Sequence, residues 1–287
     1  MRIKRKIKGI CLLFVIVCVI FASGYYVLRV SPYHFHIISQ DVSNSLIPEE
    51  FIGFKIGFFS DLDISTSEDL DYLESCINSI NNEQCDMIIF GGDIYENGNA
   101  FDQERLISLL DSIQVPYGKF AVLGENEFMT NLEDSINLLE SGGFEVLRNE
   151  VRTIYYESST ITLVGMESSS NLDSLLTTDQ QSGFVIAAIH QPDYFTNLAN
   201  TSMDLQLSGH TGGGFIQIPF VGPLVKLEGG ETYVSGRYEQ NNKTLIVSNG
   251  IGLGHQQQYR FNARPDAYVL TLSKRTNATV SSSDASN

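Results

Sequence analysis

Six residues able to hold divalent cations or move protons stand at the ends of apolar runs: Asp61, Asp63, Asp93, Glu125, His190 and His210. Asp61-Leu62-Asp63 follows Lys55–Ser60 (KIGFFS), Gly91-Gly92-Asp93 follows Met87–Phe90, and Gly124-Glu125-Asn126-Glu127 follows Tyr117–Leu123. His190 closes the run Phe184–His190, and His210 closes Asp204–His210 just ahead of Gly212, Gly213 and Gly214. Carboxylates and imidazoles around an open site suit one or two divalent ions. Paired ions serve phosphoester hydrolysis by clamping the phosphate and activating water. The glycines after His210 let the backbone turn sharply and pass close to whatever the ring holds.

Placing these residues together requires strands that end at one edge. Strand, acidic loop and helix repeat three times in the first half. A helix starts near Ser65–Ser67 and carries the stripe Leu70, Leu73, Ile77 and Ile80; others are expected over 102–113 and Asn131–Ser141, the last closed by Gly142-Gly143. Such alternation predicts parallel strands with crossover helices, where ligands collect beyond the strand C-termini. The second half is richer in strand: a hairpin over Glu145–Glu157 and Thr160–Glu167, then Glu231–Gln240 and Thr244–Asn249 around a turn at 241–243, and a last strand at Ala267–Ser273. The expected body is one globular domain of two packed sheets with helices outside.

Composition sets the boundaries. Of 287 residues, 43% are hydrophobic, enough for one large core. Arg2, Lys4, Arg5, Lys6 and Lys8 precede twenty uncharged residues, Gly9–Leu28. That length crosses a bilayer as a helix, and the positive flank favours a cytoplasmic N-terminus. A cleaved signal peptide is the alternative, with Ala22-Ser23-Gly24 as its cleavage site. The reading is therefore a basic N-terminus and transmembrane anchor at 1–29, a juxtamembrane segment at 30–50, an extracytoplasmic domain at 51–273 and a frayed polar tail at 274–287. Residues 1–29 hold six of the 18 basic residues and no acidic one, leaving twelve basic against 34 acidic residues beyond them. A body this acidic repels nucleic acid and anionic lipid, so no nucleic-acid partner is expected, and it concentrates divalent cations.

Lesser candidates have plainer readings. His34 and His36 share one face of an expected solvated strand over 31–50. Cys76 and Cys85 are expected as buried free thiols, without the Cys-x-x-Cys spacing of a metal site. Gly250-x-Gly-x-Gly254 reads as a glycine loop, since no crossover helix follows it, and His255 beside it is a reserve candidate ligand.

Taken in order, the motif residues resemble the calcineurin-like metallophosphoesterases, in particular their bacterial membrane-anchored branch. That family carries Asp-x-His, Gly-Asp, Gly-Asn-His-Asp/Glu, a lone His and Gly-His-x-His. This chain offers Asp61-Leu62-Asp63, Gly92-Asp93, Gly124-Glu125-Asn126-Glu127, His190 and Gly209-His210-Thr211-Gly212, with the match running over most of 54–272. The resemblance implies a four-layer α/β/β/α sandwich and a phosphoester substrate. It also implies metal ligands at Asp61, Asp93, His190 and His210, with Asp63 in place of a histidine and Glu125 in place of an asparagine. One metal position would keep Asp93, Glu125, His190 and His210; the other would keep Asp61, Asp63 and a bridging Asp93. Added carboxylates favour manganese, magnesium or calcium over zinc or iron. Asn126 stands where the family has the histidine that contacts the scissile phosphate, and Gly212 where it has its last ligand. Arg260 and Arg264 fall where the family's C-terminal loop returns, which makes Arg260 the candidate phosphate contact.

Losing a general acid at 126 would lower the rate by roughly 10²–10⁴-fold. Two functions therefore stay open. One is an extracytoplasmic metal-dependent phosphoesterase with weak or altered turnover. The other is an inactive module of the same fold that binds a metal, a phosphorylated ligand or an envelope partner, with no ion needed if the site is vestigial.

Overall fold

The structure is a computed structural model, and it describes residues 2–96, 101–167, 171–252 and 259–275. His255 and the last part of the expected tail lie outside these residues. The strands at the centre have both faces buried. In β2 (Lys55–Phe59), Ile56 and Phe58 enter the core between the two sheets, while Phe59 points to the helices; in β3 (Met87–Phe90), Met87 and Ile89 face one way and Ile88 and Phe90 the other. This is the period of two of a strand, with apolar side chains on both faces because the sheet is covered on both.

Counting along the chain, β1 is His36–Asn44, and β2 and β3 are followed by β4 (Lys119–Ala121), β5 (Glu145–Val146), β6 (Glu150–Tyr156) and β7 (Ser159–Met166). The rest are β8 (Val185–Ile189), β9 (Leu205–Ser208), β10 (Gln217–Ile218), β11 (Gly222–Pro223), β12 (Gly236–Gln240), β13 (Lys243–Val247) and β14 (Asp266–Lys274). The first six-stranded sheet has the order β1-β14-β2-β3-β4-β5, and the second β12-β13-β9-β8-β7-β6. Strands β2, β3, β4 and β5 are parallel, as are β7, β8, β9 and β13. The first sheet's outer face is covered by α2 (Ser67–Asn82), α3 (Gln103–Asp111) and α5 (Leu132–Ser141), which follow α1 (Arg2–Tyr25) and a five-residue α4 (Glu125–Met129). Leu172, Phe195, Leu198 and Met203, from short helical turns and loops, cover the outer face of the second. The result is the four-layer α/β/β/α sandwich. Helix α2 starts where its residues dictate: the Asp69 carboxylate accepts from the Thr66 N–H at 2.7 Å and the Ser65 N–H at 3.0 Å, a capping box.

Three segments differ from the sequence expectation. Residues 36–44 are not a solvated juxtamembrane strand: β1 is an edge strand of the first sheet, paired in parallel with β14 along its whole length. His34 precedes that strand, so it shares no strand face with His36. The run Glu145–Glu157 is two strands in different sheets, switching at Asn149 with φ +56°. Glu231–Gln240 is strand only over Gly236–Gln240. Cys76 and Cys85 are buried free thiols, and burial raises them to about 12 and about 11.

At the N-terminus, Lys8–Tyr33 is one helical stretch long and apolar enough to cross a membrane, with mean hydropathy 2.6. Its end docks on the body, where Tyr33 meets the Tyr72 ring edge-on at 5.5 Å between centroids.

Candidate metal centre

The two sheets end at one edge, and their terminal loops face each other. Asp61 follows β2, Asp93 follows β3, Glu125 opens α4 after β4, His190 follows β8, and His210 follows β9. The loops are tightly tied. The Asp61 N–H donates to the Gly92 carbonyl at 2.9 Å, and the Leu62 N–H to the Asp93 carbonyl at 2.8 Å. Asp61, Asp63, Asp93 and His210 all have positive φ, +50°, +45°, +61° and +74°. Left-handed backbone at a non-glycine residue costs on the order of 1–3 kcal/mol, and such residues gather at functional sites. Gly209 is required by proximity: a Cβ there would lie 2.3 Å from an Asp61 carboxylate oxygen.

Two groups of ligand atoms form, each within 4.8 Å: Asp61, Asp93 and His190, and Glu125, His190 and His210. His190 is common to both, where the sequence expectation made Asp93 the bridge. Asp63 stands outside both groups; its Oδ1 accepts from Asn126 Nδ2 at 3.1 Å.

The protons on the two imidazoles are assigned by their partners. His190 Nδ1 lies 2.7 Å from the Gly91 carbonyl and His210 Nε2 lies 2.7 Å from the Glu228 carbonyl. A carbonyl only accepts, so these nitrogens carry the hydrogens and the opposite nitrogens present lone pairs. His190 Nε2 is buried without a hydrogen-bond partner, 3.2 Å from Asp93 Oδ2 and 4.0 Å from Asp61 Oδ1. His210 Nδ1 is 3.1 Å from Glu125 Oε2. Lone pairs facing carboxylates repel unless something positive lies between them, and backbone carbonyls fixing the far nitrogen are the usual support of metal-ligating histidines. The donor set fits divalent cations. Without a cation, burial opposes a charged His190 ring, but the Asp93 and Asp61 carboxylates outweigh it and raise its pKa well above the ordinary imidazole value.

Glu127, unassigned by the sequence reading, holds the loops in register. Its buried carboxylate accepts from the N–H groups of Gly124 at 2.6 Å, Asp93 at 3.0 Å and Ile94 at 2.6 Å. Burial first, then the Asp93 charge, raises it to about 7 despite these bonds. The signal was present in sequence: an acid three residues after Gly124, at the start of a helix, is capping-box spacing. Gln191 also supports the centre, its side-chain amide donating to Glu125 Oε1.

Arg260 is not a phosphate contact. Its guanidinium is 1% exposed and donates to the carbonyls of Asn249 and Gly252, each at 2.6 Å, and of Gly212 at 3.3 Å. Arg264 donates to the His34 carbonyl at 3.1 Å. At Gly212, φ is +54°, and an added Cβ would lie 2.5 Å from the Phe215 ring, so the space a side chain would need there is filled. A cleft of about 590 Å³ opens beside Glu125 and His210, lined further by Gln191, Asp193, Tyr194 and Asn197.

Comparison with known proteins agrees with this geometry. Residues 54–213 match the sequence profile of the calcineurin-like phosphoesterases. A metallophosphoesterase of Bacillus subtilis, YkuE, is 32% identical over 89% of this chain and 91% of its own length. A metallophosphoesterase of Aquifex aeolicus is 30% identical over 78% of this chain and 86% of its own. Phosphodiesterase YaeI of Escherichia coli is 27% identical over 76% of this chain and 82% of its own. With carboxylates and imidazoles gathered at one edge of a four-layer sandwich, these matches place the chain in the calcineurin-like phosphoesterase family.

Proposed function

We propose that this chain is a membrane-anchored, extracytoplasmic, metal-dependent phosphoester hydrolase whose turnover is weak and confined to substrates with good leaving groups. The observation that carries the metal dependence is the buried, unpartnered His190 Nε2 aimed between Asp93 and Asp61. Asp61, Asp93, Glu125, His190 and His210 would hold the ions, which supply polarisation of the phosphoryl oxygens and an ionised water. The three carboxylates among them, with Asp63 nearby, favour manganese, magnesium or calcium.

The restriction on leaving groups comes from Asn126. Its backbone N–H donates to Asp93 Oδ1 at 2.9 Å and its side-chain amide to Asp63 at 3.1 Å. An amide can donate a hydrogen bond to a departing oxygen but cannot transfer a proton to it. The leaving oxygen then departs as an anion, so the rate depends steeply on its acidity. The phosphodiesterase among the relatives points to diesters as the substrate class. The apolar stretch Lys8–Tyr33 with its basic flank supports anchoring with the domain outside the cytoplasm.

Metal content by mass spectrometry and hydrolysis of a diester series of graded leaving-group pKa, on the same sample, test this reading. Bound manganese, magnesium or calcium with a steep leaving-group dependence is the expected result. Bound metal without hydrolysis would favour the inactive binding module, for which the filled space at Gly212 speaks. A metal-free protein that binds none would overturn the hydrolase reading and leave a module whose metal site is vestigial.

A further inference from the structure

The loop that carries His210 continues into a hairpin made of β10 and β11, paired Gln217 to Pro223 and Ile218 to Gly222. Its tip is apolar and uncovered: Ile218 is 39%, Val221 78% and Leu224 62% exposed, and Phe220 is fully exposed at 110%. A contiguous patch of this kind on a monomer marks a surface made to meet something. The turn is closed by the Val221 N–H donating to the Ile218 carbonyl at 3.0 Å, with Phe220 at φ +67°. Glycine adopts that backbone freely and phenylalanine does not. A ring kept there against its backbone preference is used for itself.

The position of the hairpin says what it meets. Its first strand is tied to the end of the apolar N-terminal helix through two residues. The Gln217 N–H donates to the Phe261 carbonyl at 2.8 Å, the Phe261 N–H to the Phe215 carbonyl at 2.9 Å, and the Arg260 N–H to the Val27 carbonyl at 3.2 Å. Val27 lies in the helical stretch Lys8–Tyr33, whose exposed Tyr25, Tyr26 and Tyr33 gather at its body-proximal end. Tyrosines at one end of a spanning helix sit at headgroup level. The hairpin is therefore fastened beside the point where the helix leaves the bilayer. Its side chains are of the kind that enter the boundary between headgroups and acyl chains.

We propose that the 216–224 hairpin is a second, interfacial membrane contact, with the lipid bilayer as its occupant. The inference rests on the anchor reading above. Phe220 follows His210 by ten residues, so even a fully extended chain would keep the tip within about 35 Å of that ligand. Helix and hairpin together hold the metal loop over the bilayer surface instead of letting the domain swing on a single tether.

The chain contains no tryptophan, so each engineered one is a lone reporter in the full-length protein reconstituted in phosphatidylcholine–phosphatidylglycerol vesicles. Phe14→Trp reports on the helix, Phe220→Trp and, independently, Val221→Trp on the hairpin, and Tyr155→Trp on β6 as a solvent control. Quenching by lipids brominated near the headgroup should be strong for both hairpin reporters and absent for Tyr155→Trp. Lipids brominated deep in the acyl chain should quench Phe14→Trp. If Phe14→Trp is quenched but the hairpin reporters are reached by aqueous iodide, the hairpin proposal is overturned and the anchor stands. Blue-shifted hairpin emission without bromolipid quenching means a second copy covers the patch, and also overturns it. Failure of Phe14→Trp to quench removes the anchor reading and this inference with it.

Discussion

Metal removal is expected to destabilise the domain in proportion to the ligands each ion engages. A divalent ion at a hundredfold excess over its dissociation constant stabilises the fold by about 2.7 kcal/mol. Each kcal/mol shifts Tm by about 2–4 °C in domains of 150–250 residues, so chelator should lower Tm by about 5–10 °C. His190 belongs to both ligand groups and Glu125 to one. His190→Ala should therefore abolish the shift, whereas Glu125→Ala should leave the part due to Asp61, Asp93 and His190. The pH dependence has a definite sign. The metal-free His190 ring has a folded pKa raised by Asp93 and Asp61, so its stabilisation is complete below the unfolded value and is lost as pH rises through the folded one. A metal ligand must be deprotonated, so ion and proton compete, and the Tm difference between metal and chelator should widen from acid to alkaline pH. Differential scanning calorimetry of wild type and both variants measures all of this. A Tm indifferent to chelator, or equal losses in His190→Ala and Glu125→Ala, would refute the shared-ligand geometry.

The other expectations follow from single groups. Glu127→Gln replaces one carboxylate oxygen by an N–H₂ that must face backbone donors; each orphaned donor costs about 1–3 kcal/mol, and urea unfolding should show a loss of about 2–3 kcal/mol. A loss within error would mean the loops are held by other means. Asn126→His should raise turnover of diesters with poor leaving groups by ~10²-fold or more and barely change that of nitrophenyl esters, read from steady-state rates across the series. Gly212→His should add nothing, because its Cβ would lie 2.5 Å from the Phe215 ring. Burial raises Asp266 to about 7, although Ser248 and the Asn249 N–H bond it. The folded state thus holds a proton that the unfolded state has released, so wild-type stability falls between about pH 4 and 7, by on the order of 4 kcal/mol for this group. Asp266→Asn should remove that slope, and parallel melting curves for the two proteins across pH 4–8 would contradict the assignment.

What could be read from the sequence was what local pattern determines. The strand-end placement of Asp61, Asp93, Glu125, His190 and His210 was legible because β2, β3, β4, β8 and β9 are short apolar runs that stop at Asp, Glu or His. The misreadings involve partners far along the chain. Strand β1 looks like a solvated juxtamembrane segment until β14, more than two hundred residues later, pairs with it. The strand switch after β5 is carried by Asn149, a residue type that tolerates positive φ, and its signal is one residue long. Segment 231–235 alternates like a strand, but the Asp193 carboxylate takes the N–H groups of Glu231 and Tyr233 at 2.9 and 3.0 Å and holds it as a loop. Motif position says nothing of what Asp63 meets, and the 3.1 Å bond from the Asn126 side-chain amide is visible only in the structure.

Arg260 shows how the residues beside the centre are packed together. An arginine near a phosphoester site reads as an anion contact, yet this guanidinium is enclosed by backbone carbonyls, and its plane lies over the Phe215 ring at 5.8 Å. The same ring fills the space where a side chain at 212 would begin. Glycine at 212 and the enclosed Arg260 are thus coupled through the packing of one ring. Glycine at 212 lets Phe215 in, Phe215 supports Arg260, and the Arg260 guanidinium donates to the Gly212 carbonyl at 3.3 Å while its backbone N–H donates to the Val27 carbonyl. Through Arg260 the segment after His210 is joined to the N-terminal helix. A histidine at 212 would have to break that joint, so Asp63, Asn126 and Gly212 differ in kind: the first two meet through one side-chain hydrogen bond, and the third is packed against the Phe215 ring.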